Sequence, residues 1–169
     1  MHINVAQLLK EPVGAKRSYK IDELAGENGE NHVVGEVNLI RTNRGILVIG
    51  KLATEITDTC SRCLGTARIL VTFDMEEEYF PVVDINSGVH LKASPDDFTI
   101  DENHVLDLNE AIRQYIIMAT PTKILCKPDC RGICPVCGKE LEGGDCGHRN
   151  NFYDHRWDKL VPIEKESKV

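Results

Sequence analysis

Cysteines dominate the chemistry this chain can offer. Five of its seven, Cys126, Cys130, Cys134, Cys137 and Cys146, fall within 21 residues, and His148 closes the run. The other two, Cys60 and Cys63, form a separate Cys-x-x-Cys pair far upstream. Seven thiols and one imidazole make eight ligands, enough for two tetrahedral zinc sites. Cys60-Ser-Arg-Cys63-Leu-Gly65 and Cys134-Pro-Val-Cys137-Gly138 share one design. Two thiolates two residues apart, with glycine close behind, make a tight turn whose backbone N–H groups point at the sulfurs. Each such knuckle supplies half of a tetrahedral site.

Other uses of these thiols fit less well. A buried small hydrophobe needs apolar flanks, whereas these flanks are Asp, Lys, Arg and Gly. A redox dithiol at Cys60–Cys63 belongs between a strand and a helix, and no such context surrounds the pair. Cys130-x-x-x-Cys134-Pro echoes the end of a ferredoxin run without the two-residue spacings that precede it. Zinc is the metal expected. A catalytic zinc keeps an open position, usually beside His or carboxylate. Eight thiolate-dominated ligands instead divide into two closed, structural sets, with His148 paired to Cys146. His155 is the weaker substitute, and His2, His32, His90 and His104 have no ligand spacing. Two partitions remain open. One puts Cys60, Cys63, Cys126 and Cys130 on the first ion and Cys134, Cys137, Cys146 and His148 on the second. The other joins the two knuckles as a ribbon and leaves Cys126, Cys130, Cys146 and His148 together.

The elements that must position these ligands read as mostly β. Residues 1–24 pair a short apolar opening (Ile3, Val5, Leu8, Leu9) with the bases Lys16, Arg17 and Lys20, and Ala25 to Asn31 reads as a polar turn. Period-two patterns then run over Val33–Thr42, Ile46–Thr59 and Ala67–Phe80, with a turn signal at Asn43-Arg44-Gly45 and a corner at Cys60–Cys63. This is an antiparallel meander or partly closed barrel, with Gly35, Gly50 and Gly65 as candidate bends. Residues 81–105 read as irregular. One main helix is expected over about 107–120, with Asp107 as N-cap, Glu110 at the capping-box position, and a stripe of Leu108, Ala111, Ile112, Tyr115, Ile116 and Ala119 facing the sheet. Pro121 ends it. The expected fold class is therefore α+β, mostly β, with residues 1–125 as the β domain. Residues 126–169 form a cysteine-rich lobe and tail tied to the Cys60–Cys63 corner, and Phe152 to Leu160 docks back as a helical turn.

The 169 residues are enough to bury a core without metal. No apolar run approaches the roughly 20 residues of a membrane helix, and the N-terminus lacks the features of a signal peptide. The expected location is the cytoplasm, where thiols stay reduced. The net charge of −7 is unevenly spread. Residues 74–110 hold eleven acids (Asp74, Glu76, Glu77, Glu78, Asp84, Asp96, Asp97, Asp101, Glu102, Asp107, Glu110) against Lys92, a balance of −10 that leaves +3 for the rest. An acidic pI thus does not exclude a nucleic-acid surface elsewhere. The simplest role for the acidic block is a solvated, loop-rich face. No phosphate-binding glycine loop, dinucleotide fingerprint or serine-nucleophile motif occurs, and no catalytic set of residues can be assigned.

Taken together, Cys60-x-Arg62-Cys63-Leu64 between two strands, Asp107-Leu108-x-Glu110 opening a helix, and Leu125-Cys126-x-x-Asp129-Cys130-x-Gly132-x-Cys134-Pro135-x-Cys137-Gly138-x-x-Leu141 resemble the bacterial YceD family, also called large ribosomal RNA subunit accumulation protein. The resemblance runs from about Val33 to Leu160 and includes Asp154-His155-Arg156-x-x-x-Leu160. His148 stands where many relatives have Cys, a change zinc accepts, and His155 stands where they have Pro. The family implies a role in accumulation or maturation of large-subunit ribosomal RNA, with no demonstrated catalytic chemistry. Some relatives keep the first cysteine pair and lack the final cluster, which favours the first partition.

The expected function is a non-catalytic zinc-binding factor that assists ribosome assembly through ribosomal RNA, a pre-ribosomal particle or a ribosomal protein, with no membrane and no small-molecule substrate. Candidate phosphate contacts are Arg41, Arg44, Arg62, Arg68, Lys127, Arg131, Lys139, Arg149 and Arg156, each equally readable as ordinary solvated charge. The rival reading is an adaptor whose acidic 74–110 segment grips a basic protein. A nuclease or thiol oxidoreductase comes third.

Overall fold

A computed structural model of the chain describes residues 1–25, 31–92, 94–95, 97–148 and 156. Alternation of apolar and polar residues builds four long strands in the meander: β2 (Lys16–Ala25), β3 (Asn31–Arg41), β4 (Ile46–Thr59) and β5 (Thr66–Pro81). Three short strands, β1 (His2–Asn4), β6 (Phe98–Ile100) and β7 (Val105–Asp107), extend the sheet, and two helices, α1 (Ala6–Lys10) and α2 (Asn109–Ala119), cover its inner face. The strand order is β1-β7-β6-β5-β4-β3-β2. All pairings are antiparallel except β5 with β6. The fold is therefore mostly β with one main helix, as the period-two runs required.

The sheet curls until its two edges approach each other. The Met1 amine, ahead of edge strand β1, lies 4.0 Å from the Glu23 carboxylate on the opposite edge strand, β2, and 3.6 Å from Asp107 on β7. Gly35 and Gly50 allow this curl. A Cβ at Gly35 would collide with the Lys51 carbonyl, and one at Gly50 would sit 2.7 Å from Val37 Cγ1. Gly65 has no such constraint, since its Cβ would meet only Cys63 Sγ at 3.5 Å.

Inward residues of the strands meet the helices in one core. Val37, Leu39, Val48, Ile46 and Tyr79 pack there with Leu8 of α1 and with Ala111, Ile112 and Ile116 of α2. Burying one such aliphatic side chain contributes about 1.5–3 kcal/mol. On the outer face, Lys20, Glu36, Lys51 and Asp74 lie side by side across four strands with alternating sign. Opposite charges directly across strands favour this register.

The structure differs from the sequence expectation at three places. β2 was read only as a basic cluster; its edge position leaves just Ile21 and Ala25 buried, so its pattern is weak. Residues 81–105 contain β6 and the first residue of β7 rather than being irregular throughout. At the start of α2, Leu108 occupies the N-cap position without a side-chain cap. Asp107, one residue earlier, accepts a hydrogen bond from the Asn109 N–H at 3.0 Å, and Glu110 turns to Arg113 and Gln114 instead of closing a capping box. The proposed turn around Gly26 and Gly29, and the tail around Phe152 to Leu160 apart from Arg156, lie outside the described residues.

Candidate metal centres

The β4–β5 connection is a tight corner that must turn within Cys60 to Gly65. Leu64 N–H donates to the Cys60 carbonyl (3.0 Å), and Cys60 N–H donates to the Gly65 carbonyl (2.8 Å). The same frame recurs at the second knuckle: Gly138 N–H to the Cys134 carbonyl (2.8 Å), and Cys134 N–H to the Lys139 carbonyl (2.9 Å). Both frames need a left-handed residue at the fifth position. Gly138 (φ +71°) meets this freely, whereas Leu64 (φ +62°) meets it with a side chain in a conformation that costs about 1–2 kcal/mol.

The two turns aim backbone N–H groups at one sulfur each. N–H groups of Cys63, Arg62 and Cys126 hold the Cys60 thiol down at about 6. Those of Cys137 and Val136, helped by the Cys146 thiol, do the same for Cys134; Val136 N lies 3.4 Å from its sulfur. Cys126 is pushed up to about 12, first by its contact with Cys130, then by desolvation and the neighbouring thiols. Four sulfurs held together in this way release their first proton readily and their last with difficulty.

Cys60, Cys63, Cys126 and Cys130 converge into one group, and Cys134, Cys137, Cys146 and His148 into another. Within each group the ligand atoms lie within 4.8 Å of one another. This grouping corresponds to the first of the two partitions. In the first group Cys60 and Cys130 sulfurs are 3.8 Å apart and Cys63 and Cys126 sulfurs 3.7 Å apart. A tetrahedral ion with bonds of about 2.3 Å holds its sulfurs about 3.8 Å apart. In the second, His148 Nδ1 lies 3.4 Å from Cys146 Sγ and 3.9 Å from Cys134 Sγ, around the roughly 3.6 Å that a mixed N and S tetrahedron requires. All seven cysteines are free thiols. Soft sulfur donors in such a set suit zinc far better than a hard cation, so the residues fit the ion.

The first centre joins elements distant in sequence. Cys60 and Cys63 ride the hairpin corner, and Cys126 and Cys130 follow α2. Ser61 N–H donates to the Ile124 carbonyl (2.8 Å), and Arg62 Nη1 donates to the Cys130 carbonyl (2.8 Å). Cys60 and Cys130 are buried against Ala67 and Ile124, a small apolar floor separate from the main core. The second centre is local, built from residues 134–148. Glu142 bridges the two, pairing with Lys127 and accepting from the Arg131 N–H. Gly132 (φ +76°) lets the chain pass close to Arg62, where a Cβ would lie 3.0 Å from the Arg62 carbonyl oxygen. No sequence pattern marks Glu142, because its role depends only on proximity.

The candidate cations separate into different roles. Arg62, Arg68, Arg131 and Lys139 are exposed on the hairpin end and the lobe. Lys127 is engaged by Glu142. Arg41 is held by the carbonyls of Leu9, Thr42 and Gly45, and Arg44 lies over the Phe80 ring, 5.0 Å from its centroid; both are at the far end of the β4–β5 hairpin. Arg149 and His155 lie outside the described residues, whereas Arg156 is described and exposed. Among the described residues His2, His32, His90 and His104 join neither ligand group. Among the described residues of the acidic segment, eight side chains have partners inside the chain: Asp74, Glu77, Glu78, Asp84, Asp97, Asp101, Asp107 and Glu110. Four of them, Asp84, Asp97, Asp101 and Asp107, accept from nearby backbone N–H groups, and the other four pair with side chains. No helix among the described residues is long and apolar enough to cross a membrane.

Comparison with known proteins falls on this same region. Uncharacterized proteins of Mycobacterium tuberculosis and Mycobacterium bovis are each 32% identical over 122 residues, covering 72% of this chain and 56% of theirs. One from Mycobacterium leprae is 24% identical over 119 residues, covering 70% of this chain and 52% of its own. The chain thus spans about half the length of these curated relatives. No solved structure matches it. Residues 48–163 match the family described as large ribosomal RNA subunit accumulation protein YceD. That span begins inside β4 and encloses every residue of both ligand groups, and the chain belongs to the YceD family.

Proposed function

We propose that the chain is a non-catalytic factor for accumulation of large-subunit ribosomal RNA, built around two structural zinc ions and contacting ribosomal RNA through its metal-bearing end. Cys60, Cys63, Cys126 and Cys130 hold the first ion; Cys134, Cys137, Cys146 and His148 hold the second. Each ion supplies four bonds that fix loops which have little core of their own. The observation that carries this reading is the convergence of the eight ligands into two groups with tetrahedral spacing. Family membership supports the ribosomal role. All four positions of each group are filled by protein atoms, which favours structural sites over catalytic ones. Residues 1–125 act as the scaffold and 126–169 as the lobe that it presents, in a cytoplasm that keeps thiols reduced.

Arg62, Arg68, Arg131 and Lys139 are the cations best placed to meet phosphate on that end. The acidic segment is less suited to gripping a basic protein, because most of its carboxylates already have partners. Native mass spectrometry with metal analysis tests the centres: two zinc ions in the parent and one in a His148→Ala variant are expected, and a single ion in the parent overturns the assignment. Binding to large-subunit ribosomal RNA should weaken steeply with added salt, since each phosphate contact releases counterions. Salt-independent binding, or a pull-down of a basic ribosomal protein that survives nuclease, would replace RNA with the adaptor reading.

A further inference from the structure

The far end of the β4–β5 hairpin carries a second constellation. A cavity of about 310 Å³ opens there, between the β3–β4 turn, the end of β5 and the loop that follows. Its apolar wall includes Leu9, Phe80 and Leu91, and three cations, Arg41, Arg44 and Lys92, stand around it. Lys92 is the single base of the acidic 74–110 segment, so the basic charge of that region is gathered at this one place.

The turn on one side of the cavity is hydrogen-bonded in place. Thr42 Oγ1 accepts the Gly45 N–H at 2.8 Å and fixes the turn that bears Arg44. Arg41 donates to the carbonyls of Leu9, Thr42 and Gly45, which fix its guanidinium, and the Asp84 carboxylate lies within reach of its charge. The two carboxylates on the lining, Asp84 and Asp97, are taken up by their own loop: Asp84 accepts from the Asn86 and Ser87 N–H groups and the Ser87 hydroxyl, and Asp97 from the Ser94 N–H. An aromatic ring, a guanidinium over it and flanking cations form a stacking platform beside a phosphate-attracting rim. Unpaired bases are read in this way, stacked on aromatic rings or guanidinium planes.

We propose that this cavity takes one unpaired nucleotide of an RNA strand, its base stacked at Phe80 and Arg44 and its phosphate facing Lys92. This rests on the ribosomal RNA reading above and adds the form of RNA bound and a second contact. The test uses the full-length zinc-loaded protein and labelled single-stranded hexauridylate and hexaadenylate, with AMP and a blunt RNA duplex as comparators. Expected are tighter binding of the single strands than of duplex or AMP, amide shifts confined near residues 41–45, 80–85 and 91–92, and at least a five-fold loss of affinity in Phe80→Leu. Arg44→Ala, on an exposed turn, should give a similar loss if Phe80→Leu folds poorly. Unchanged affinity in Arg44→Ala overturns the inference, as does AMP binding tighter than the strands. If Arg131→Ala and Lys139→Ala weaken binding while the cavity variants do not, the cavity assignment fails and the RNA reading stands. If no RNA binds the parent, both fail.

Discussion

Arg62 Nη1 donates to the carbonyl of Cys130 at 2.8 Å, across 68 positions of sequence. The residue between two ligands on the hairpin corner thereby holds the backbone of a ligand beyond α2. A hydrogen bond from a charged donor contributes about 1.5–3 kcal/mol, and this part-buried one, from an exposed side chain, sits at the low end. Arg62→Ala should lower stability toward urea by about 1–2 kcal/mol while both metals remain bound. A parallel loss of the first metal on native mass spectrometry would show that Arg62 governs affinity as well as docking.

The two centres differ in reach, so their loss should differ in extent. Cys126→Ser is expected to loosen the hairpin corner and the segment after α2 together, because the first centre alone joins them. Cys146→Ser should act on residues 134–148 and on the Arg131 N–H that Glu142 holds, leaving the hairpin corner in place. Hydrogen exchange distinguishes these: for Cys126→Ser, protection should fall around 57–67 and 124–130, and for Cys146→Ser it should persist there. Equal patterns in the two variants would contradict the arrangement.

The knuckle frames make a paired prediction at Leu64 and Gly138. Gly138→Val places a branched side chain at φ +71°, where no neighbouring atom interferes, and should cost about 1–2 kcal/mol from backbone strain alone. Leu64→Gly removes the same strain at the first knuckle but adds chain entropy to the unfolded state, so the two offset to within about 1 kcal/mol. Urea titration of the zinc-loaded protein measures both.

Thiol ionisation has a defined sign. Cys60 and Cys134 are each held down at about 6, so in metal-free protein their thiolate forms contribute stability fully present above the ordinary thiol range. That contribution is lost as pH falls toward 6. Thiolate absorbance near 240 nm should therefore show an early step near pH 6, with Cys126, pushed up to about 12, among the last to ionise. Zinc binding requires all these thiolates, so retention should fail progressively as pH drops below neutrality.

How much of this was legible in the sequence depends on range. β4 runs from Ile46 to Thr59, as its alternation and the turn signals on both sides indicated. β2 hid behind its polarity, and β6 and β7 owe their places to pairing with β5 and β1, which three-residue strands cannot advertise. The eight candidate ligands stood out by their spacing, but which of them come together in space did not. That depends on how close the hairpin corner comes to the chain after α2, a distance no local pattern encodes. For the same reason Glu142 and the cavity at Phe80 carry no sequence signal.

The β4–β5 hairpin acts as a gauge. Its fourteen-residue strand β4, at about 3.3 Å per residue, puts roughly 45 Å of strand path between the cavity at Phe80 and the knuckle at Cys60. Continuous pairing from Ile46↔Tyr79 to Thr59↔Thr66 keeps that interval stiff. Because side chains alternate, lengthening both strands by two residues would move the knuckle outward by about 7 Å and keep each face as it is, whereas adding one residue would turn the faces over. Any partner that touched both ends of this protein would be measured against a ruler whose divisions are peptide units.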